Sequence, residues 1–593
     1  MRYFVLALAL IAASAAATPP PKMDPDGREA GAASRELQAI MGRHWAWYLR
    51  NNPVQATTLG VRTYDTEIGD ISLAQQDREA AEAAGLLNRL RIIPDAGLSP
   101  AERVNKAILS RMLGEQVEGN AFGARAMLFN TYSGWHQNFA GMADGLPFRT
   151  RADYESYLAR LAKYPAFNQA AIEVTRGAVK AGYTQPCAVL GNFAKSIEGV
   201  IVADPAKSRF YAPFAGARPL DVDAATWTGM QTRARTLITD TVNPEYRRFA
   251  DFYAREYLPK CRQSVGASAL PDGAKWYAYR ARVMTTTDQT PDQIHQTGLA
   301  EVARIRAEMT AVATKAGYPS REAFVAKLRT DPRYYATTPE QLLTAAAATA
   351  KTIDGKMPGL FGRLPRLPYG IRAIPAETAE GTTTAYYGQG SPESGLAGTY
   401  YVNTSKLPQR PLWELPALTL HEAVPGHHHQ IALQQELDLP EFRRHAASFT
   451  AFVEGWALYA ERLGIEMGLY DTPEKDMGRL SYEMWRASRL VVDTGLHAKG
   501  WSKDQAVGFM TDNTALSPAN IEAEVNRYIS WPGQALAYKT GELKIRELRA
   551  RAEQELGARF DLRRFHDAVL GQGPVPMDVL ERQVADWIAG ERG

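Results

Sequence analysis

The chain has 593 residues, 45% of them hydrophobic and 22% charged, with a formal net charge of +3. That length supports a large core and two or more domain-sized lobes, and the composition is ordinary for a globular protein. A charge this small, with basic residues spread along the chain rather than clustered, argues against nucleic acid as a partner.

Met1-Arg2 is a short basic start, Tyr3 to Ala13 is apolar, and Ala15-Ala16-Ala17 supplies the small residues of a cleavage site. The apolar run is too short for a permanent span. Residues 1–17 therefore read as a signal peptide, which implies a periplasmic or secreted protein. No cysteine lies at the cleavage region, which argues against a lipid anchor, and no later stretch reads as a membrane span. Residues 18–33, rich in Pro, Gly and Asp, read as a flexible leader. Cys187 and Cys261 permit one disulfide in an exported chain, with two buried thiols as the competing reading.

Apolar residues at three- and four-residue spacing predict helices over Ser34–Asn52, Leu73–Arg91, Ser99–Glu118, Arg151–Ala181 and Ala224–Glu256. Thr290-Pro291 predicts a helix start running to about Ala316, and another helix fills Thr338–Lys356. Pro358–Pro408 differs. Ile374 ends one short strand, and Thr383–Tyr387 and Gly398–Asn403 form others, with a loop at Gly388–Gly395. Helices follow over Glu441–Gly468, Pro473–Lys499, Ser502–Asp512, Ser517–Ser530 and Gly533–Leu556. The expected fold is mainly α, with a small sheet before the segment that carries the chemistry. A soft boundary near Pro271-Asp272-Gly273 separates an N-terminal helical region, 34–270, from a catalytic region, 271–593.

The most informative segment is His421-Glu422-Ala423-Val424-Pro425-Gly426-His427-His428-His429, which holds four of the ten histidines. Two neutral imidazoles that hold a metal, and a carboxylate that takes a proton from water, are the parts of metal-assisted hydrolysis. Zinc proteases place the two histidines four apart on one helix; here they stand six, seven or eight apart. On a straight helix His427 would lie about 120° from His421, and His428 on the same face but roughly 10 Å along the axis. Pro425 removes a helix hydrogen bond and Gly426 tolerates unusual backbone, so a local bulge is expected to bring His427 beside His421. His428 is the competing ligand, and His429 reads as an outer or solvent-facing residue. Glu422 suits a general base. Glu454, in an apolar and hence buried helix, suits a third ligand. Gly455 allows a neighbouring helix close, and Glu461, two turns on, suits orienting a ligand histidine. A lone histidine in such a place is more often a satisfied core residue; the combination favours a metal hydrolase.

The motif His421-Glu422-x-x-Pro425-Gly426-His427-His428-x-Gln430, with Tyr401-Val402-Asn403-Thr404 before it and Glu454-Gly455-Trp456-Ala457 after it, resembles the bacterial domain-of-unknown-function family 885. Thr290-Pro291-x-x-Ile294-His295 and Pro532-Gly533-Gln534-Ala535-Leu536-x-Tyr538-Lys539 are similar to its pattern as well. That family is grouped with the HExxH-type zinc metallopeptidases. The resemblance implies a large helical fold with the site in a deep cleft and does not supply a substrate. The motif of the dipeptidyl peptidase III family, with one extra residue between its histidines, is a parallel.

In related zinc peptidases an edge strand before the metal helix pairs with substrate. Gly398–Asn403 occupies that place, which makes Tyr401 and Asn403 candidate substrate contacts. Tyr528, Tyr538 and His497 are candidates to stabilise an oxyanion, and Arg527 or Lys539 to hold a substrate carboxylate. His295 reads as a core histidine. Arg486 and Arg489 read as structural, pairing with Glu483, Glu454 or Asp493. The expectation is an exported, Zn²⁺-dependent peptidase cleaving short peptides, with His421, His427 and Glu454 as ligands. The rival readings are a hydrolase of a non-peptide amide or ester, and an inactive binding protein of the same fold.

Overall fold

The computed structural model describes residues 31–592 apart from 376–378, 380, 381, 393 and 394. The expected signal peptide, 1–17, and all of the expected leader but 31–33 lie outside the described residues, and Ala32 already opens the first helix.

The N-terminal helices run over Ala32–Asn51, Leu73–Arg91, Pro100–Asn120 and Arg151–Lys180. Ala224–Tyr257 is helical throughout but widens into π turns at Ile238–Val242 and Tyr253–Tyr257. The first lies just before Pro244, whose ring lacks an N–H and crowds a normal α turn. Cys187 and Cys261 form a disulfide.

The site is framed by α1 (Pro291–Lys315), α2 (Leu415–Glu422), α3 (His427–Glu436), α4 (Thr450–Arg462), α5 (Pro473–Ala498), α6 (Pro518–Ser530) and α7 (Ala537–Leu556). Thr290 and Gln293 cap α1 reciprocally, each side chain accepting from the other's backbone N–H, as a proline at the first turn permits. The stretch expected as one helix from Glu441 to Gly468 breaks. Glu441–His445 ends where the Phe442 carbonyl accepts from Ala446 and Ala447, and Phe449 runs extended into the core before α4 begins.

Three strands form the sheet: β1 (Tyr369–Ala373), β2 (Ala385–Gly388) and β3 (Gly398–Val402), in the order β1-β3-β2. β3 is central, parallel to β1 with Tyr369 opposite Gly398, and antiparallel to β2 with Ala385 opposite Val402. The edge strand expected at Gly398–Asn403 is thus corrected: both sides of β3 are already paired, so Tyr401 and Asn403 cannot present backbone to a substrate. Tyr401 stacks on Tyr386 instead. The buried Asn403 donates to the carbonyls of Ala379, Thr382 and Thr383 and accepts from Ser405, pinning a loop.

Two large hydrophobic clusters meet at α2. Leu415, Ala417, Leu418 and Ala423 join a cluster with Phe129, Trp135, Tyr400, Val402 and Trp485. Leu420 and Val424 join the other, with Leu37, Phe452, Trp456 and Ile545. Every residue of α2 is buried, so the helix is packed on all sides and its one His-Glu pair is held between the two clusters. Both clusters draw residues from either side of residue 271. No described helix is long and apolar enough to cross a membrane.

Helices α4 and α7 cross at two glycines. A Cβ on Gly541 would lie 1.8 Å from the Ala451 carbonyl oxygen, and one on Gly455 2.5 Å from the Gly541 Cα. Gly541→Ala must therefore force α4, which carries Glu454, off its seat. We expect a loss of about 3 kcal/mol, the upper part of the overpacking range, read by denaturant unfolding of the purified protein.

Candidate metal centre

The chain does not bulge at Pro425-Gly426; it breaks. Helix α2 stops at Glu422, the backbone turns through Ala423 and a cis Val424–Pro425 peptide, and α3 starts at His427. Three contacts fix the turn. Gly426 presses on the end of α2 so closely that a Cβ would sit 1.9 Å from the His421 carbonyl oxygen. The His428 N–H reaches back to the Ala423 carbonyl at 3.1 Å. The Trp456 indole N–H, from α4, donates to the Pro425 carbonyl at 2.7 Å. The expectation of a bulge is corrected to a full helix break, set by a partner on another helix.

The break places His427 beside His421, with ring centroids 4.8 Å apart and planes perpendicular. Helix α4 brings Glu454 between them. Its Oε2 lies 3.6 Å from His421 Nε2 and 3.3 Å from His427 Nε2, and all three candidate ligand atoms fall within 4.8 Å of one another. Glu454 Oε2 is buried and has no hydrogen-bond partner among the described residues, a costly state for a carboxylate unless a cation meets it. His421 Nδ1 bonds Glu461 Oε1 at 2.8 Å, and Arg486 Nη2 stands 3.2 Å from the same oxygen. Counted as carboxylates against the single Arg486 guanidinium, which pairs with Glu461, the three glutamates Glu422, Glu454 and Glu461 leave the cluster with two negative charges in excess when the imidazoles are neutral, the complement of a divalent cation. The titration of His421 reflects the carboxylates around it. Burial pulls His421 down, but Glu454 and Glu461 outweigh it and push it up to about 9. Burial raises Glu454, yet the two imidazoles hold it well below the carboxylate range. Two histidines and a glutamate also form a donor set suited to zinc. The residues present fit a metal.

Glu461 makes the contact with His421 that an orienting partner needs. Glu461→Gln should cost about 10- to 100-fold in zinc affinity, the usual worth of such an outer partner, measured by competition with a chromogenic chelator.

Neither of the other two histidines of the motif belongs to the cluster. His428, the competing ligand, is bonded through Nδ1 to the Tyr387 hydroxyl and through Nε2 to the Leu367 carbonyl, each at 3.0 Å. His429 is fully buried against Phe361 rather than solvent-facing, and burial lowers it to about 3. His295 packs in the core, bonded to Thr494.

Of the catalytic candidates outside the motif, one reaches the cluster. The Tyr538 ring lies parallel to His421, 6.5 Å between centroids. Its hydroxyl accepts from Arg527 Nη2 at 3.0 Å and Gln534 Nε2 at 3.3 Å, and among the described residues its own proton is uncommitted. Tyr528 and His497 are corrected. The Tyr528 hydroxyl donates to Glu524 at 2.7 Å and accepts from Trp485 and Arg489, which saturates it. His497 accepts from the Ala267 N–H and donates to the Tyr528 carbonyl, and burial lowers it to about 3. Lys539 is corrected too: it is fully buried and ion-paired with Glu301, Glu483 and Glu542, so it has nothing left for a ligand. Arg527 keeps a partly exposed side chain near Tyr538. Arg486 and Arg489 are buried and ion-paired, but their partners are Glu461 and Glu524 rather than Glu483, Glu454 or Asp493.

Sequence reasoning missed the Arg486–Glu461 pair, the Trp456 anchor and the role of Gln534. The last two stand inside quoted motifs, Glu454-Gly455-Trp456-Ala457 and Pro532-Gly533-Gln534, where the repeated side-chain types were the available signal.

The fold and the cluster together define a mainly α protein with two histidines and a glutamate placed where they could hold a metal ion. The family described as "Bacterial protein of unknown function (DUF885)" matches residues 53–584, and the chain belongs to that family. No curated protein matches the chain. Solved structures resemble it, among them two described as a "putative lipoprotein". One, from Colwellia psychrerythraea, is 29% identical with a TM-score of 0.86, over 94% of this chain and 99% of that one. The other, from Shewanella oneidensis and of unknown function, is 18% identical with a TM-score of 0.69, over 94% of this chain and 100% of that one; at that identity the likeness shows the fold alone.

Proposed function

We propose that the chain is a metal-dependent hydrolase, an exported zinc peptidase that cleaves short peptides. One observation carries the reading: a buried glutamate oxygen without a hydrogen-bond partner among the described residues faces the Nε2 atoms of two histidines. Bound zinc would act there as a Lewis acid on water and on a carbonyl group. Glu422, next to His421 at the end of α2, takes the proton of the attacking water and returns it to the leaving amine. The Tyr538 hydroxyl, primed by two donors, gives its own proton's hydrogen bond to the developing oxyanion. Glu461 and Arg486 hold His421 in the tautomer that turns Nε2 toward the metal. Export is supported by the Cys187–Cys261 disulfide, which suits an oxidising compartment, and by the description of the 29% identical neighbour as a "putative lipoprotein".

The test is metal analysis of the purified chain with a short-peptide hydrolysis assay before and after chelation. We expect about one zinc per chain and activity that chelation removes and zinc restores. A chain that takes up no metal and cleaves nothing overturns the reading.

A further inference from the structure

Beside the candidate metal centre lies a charge that the protein does not balance. Arg489 on α5 and Arg527 on α6 share one carboxylate: Glu524 Oε2 lies 2.8 Å from Arg489 Nη2, and Glu524 Oε1 lies 3.5 Å from Arg527 Nη1. Among the described residues no other carboxylate is ion-paired with either guanidinium. Arg489 is almost wholly buried, its Nη1 has no hydrogen-bond partner among the described residues, and its guanidinium lies 4.2 Å over the Tyr538 ring. A buried cation in excess is costly unless an anion arrives to meet it.

Arg527 is the member of the pair that a ligand can reach. Its side chain is 16% exposed, Nη2 donates to Gln534 at 2.8 Å and to Tyr538 at 3.0 Å, and Nε donates to no partner among the described residues. Trp531, 36% exposed, lies with its ring 6.0 Å from the guanidinium. Tyr132, 42% exposed, is bonded to the Ala523 carbonyl on the same helix. From the metal cluster outward the order is His421, Tyr538, Arg527 and then the exposed aromatic rings. One side chain, Tyr538, therefore separates the cluster from the unbalanced charge, its ring centroid 6.5 Å from that of His421 and 6.0 Å from the Arg527 guanidinium.

We propose that Arg527, backed by the charge of Arg489, holds a carboxylate of the substrate, and that this carboxylate is the free C-terminus of a short peptide. The inference rests on the hydrolase reading and narrows it: the bond cut lies next to the C-terminal residue, and Trp531 and Tyr132 flank that residue. Guanidinium–carboxylate pairing of this kind is directional and strong.

Binding, which needs no turnover, tests it separately from hydrolysis. The full chain carrying Glu422→Gln, with zinc present, is titrated calorimetrically with Ala-Ala-Phe, with its C-terminal amide, and with the amide of Ala-Ala-Glu. We expect the free acid to bind at least about 10-fold more tightly than its amide, the worth of one charge-assisted hydrogen bond. Adding Arg527→Gln should bring that ratio close to one, whereas a merely structural role would weaken both peptides alike. Equal binding of acid and amide, or no binding of the acid, overturns the proposal. An Ala-Ala-Glu amide that binds as well as the free acid overturns the C-terminal assignment in favour of an acidic side chain. Should the Arg527 variant fail to fold, the acid-to-amide ratio with Arg527 intact already decides. A wild type that binds the acid preferentially and hydrolyses nothing removes the peptidase reading and leaves the carboxylate site.

Discussion

Glu422→Gln is expected to lower the proposed peptide hydrolysis by about 10²- to 10⁴-fold and to leave zinc binding in place. That is the range a positioned general base contributes. Glu422 ends α2 directly after His421 and is buried at the rim of the cluster, and it accepts no hydrogen bond from the described residues. Its carboxylate is thus free to take a proton, and the amide that replaces it has nearly the same shape but no basicity. The three candidate ligand atoms belong to other residues, so metal content should not change. Parallel metal analysis and steady-state kinetics read both halves of this prediction. Full activity in the variant removes Glu422 from the base role. Joint loss of metal and activity makes Glu422 a ligand.

Glu454→Gln has the opposite signature: metal goes first, and activity follows. The substitution removes the charge that sits between two imidazole Nε2 atoms at 3.3 and 3.6 Å. It can also point an N–H, which cannot ligate, at the place where a lone pair is needed. Zinc affinity should fall by more than the ~100-fold that loss of an outer partner costs. The readout is thermal unfolding with and without zinc. A ligand that binds only the folded state stabilises it by RT ln(1 + [L]/Kd), about 2.7 kcal/mol at a hundredfold excess over Kd. Wild type should therefore melt higher with zinc, and the variant should melt at one temperature regardless.

The two predictions separate parts of the cluster that were unequally legible in the sequence. The helices with strong apolar periodicity and good caps could be read nearly to the residue, as at Leu73–Arg91 and at Thr290-Pro291, because local terms decide them. The strands were legible and their order was not: a parallel pairing of β1 with β3 across the intervening β2 is a tertiary fact, and it removed Tyr401 and Asn403 from the substrate edge. His421, His427 and Glu454 could be picked from residue type and the Pro-Gly pair, although the unusual spacing left His428 as the competing ligand. The form of the break could not, since it depends on Trp456 donating to Pro425 from α4. Tyr528, His497 and Lys539 carry the right chemistry for catalysis, and each is consumed by partners far away in sequence: Trp485 and Arg489, Ala267, and Glu301 with Glu483. Which polar side chains keep a free valence is set by long-range packing, and that accounting separates Tyr538 and Arg527 from the rest.

The central claim is that two histidines six residues apart and a glutamate from a neighbouring helix hold one metal ion. Anomalous diffraction at the zinc edge from crystals grown with zinc tests it most directly. The account predicts a single strong peak about 2.0–2.2 Å from His421 Nε2, His427 Nε2 and a Glu454 carboxylate oxygen. A peak on His428, or none among these side chains, would contradict it.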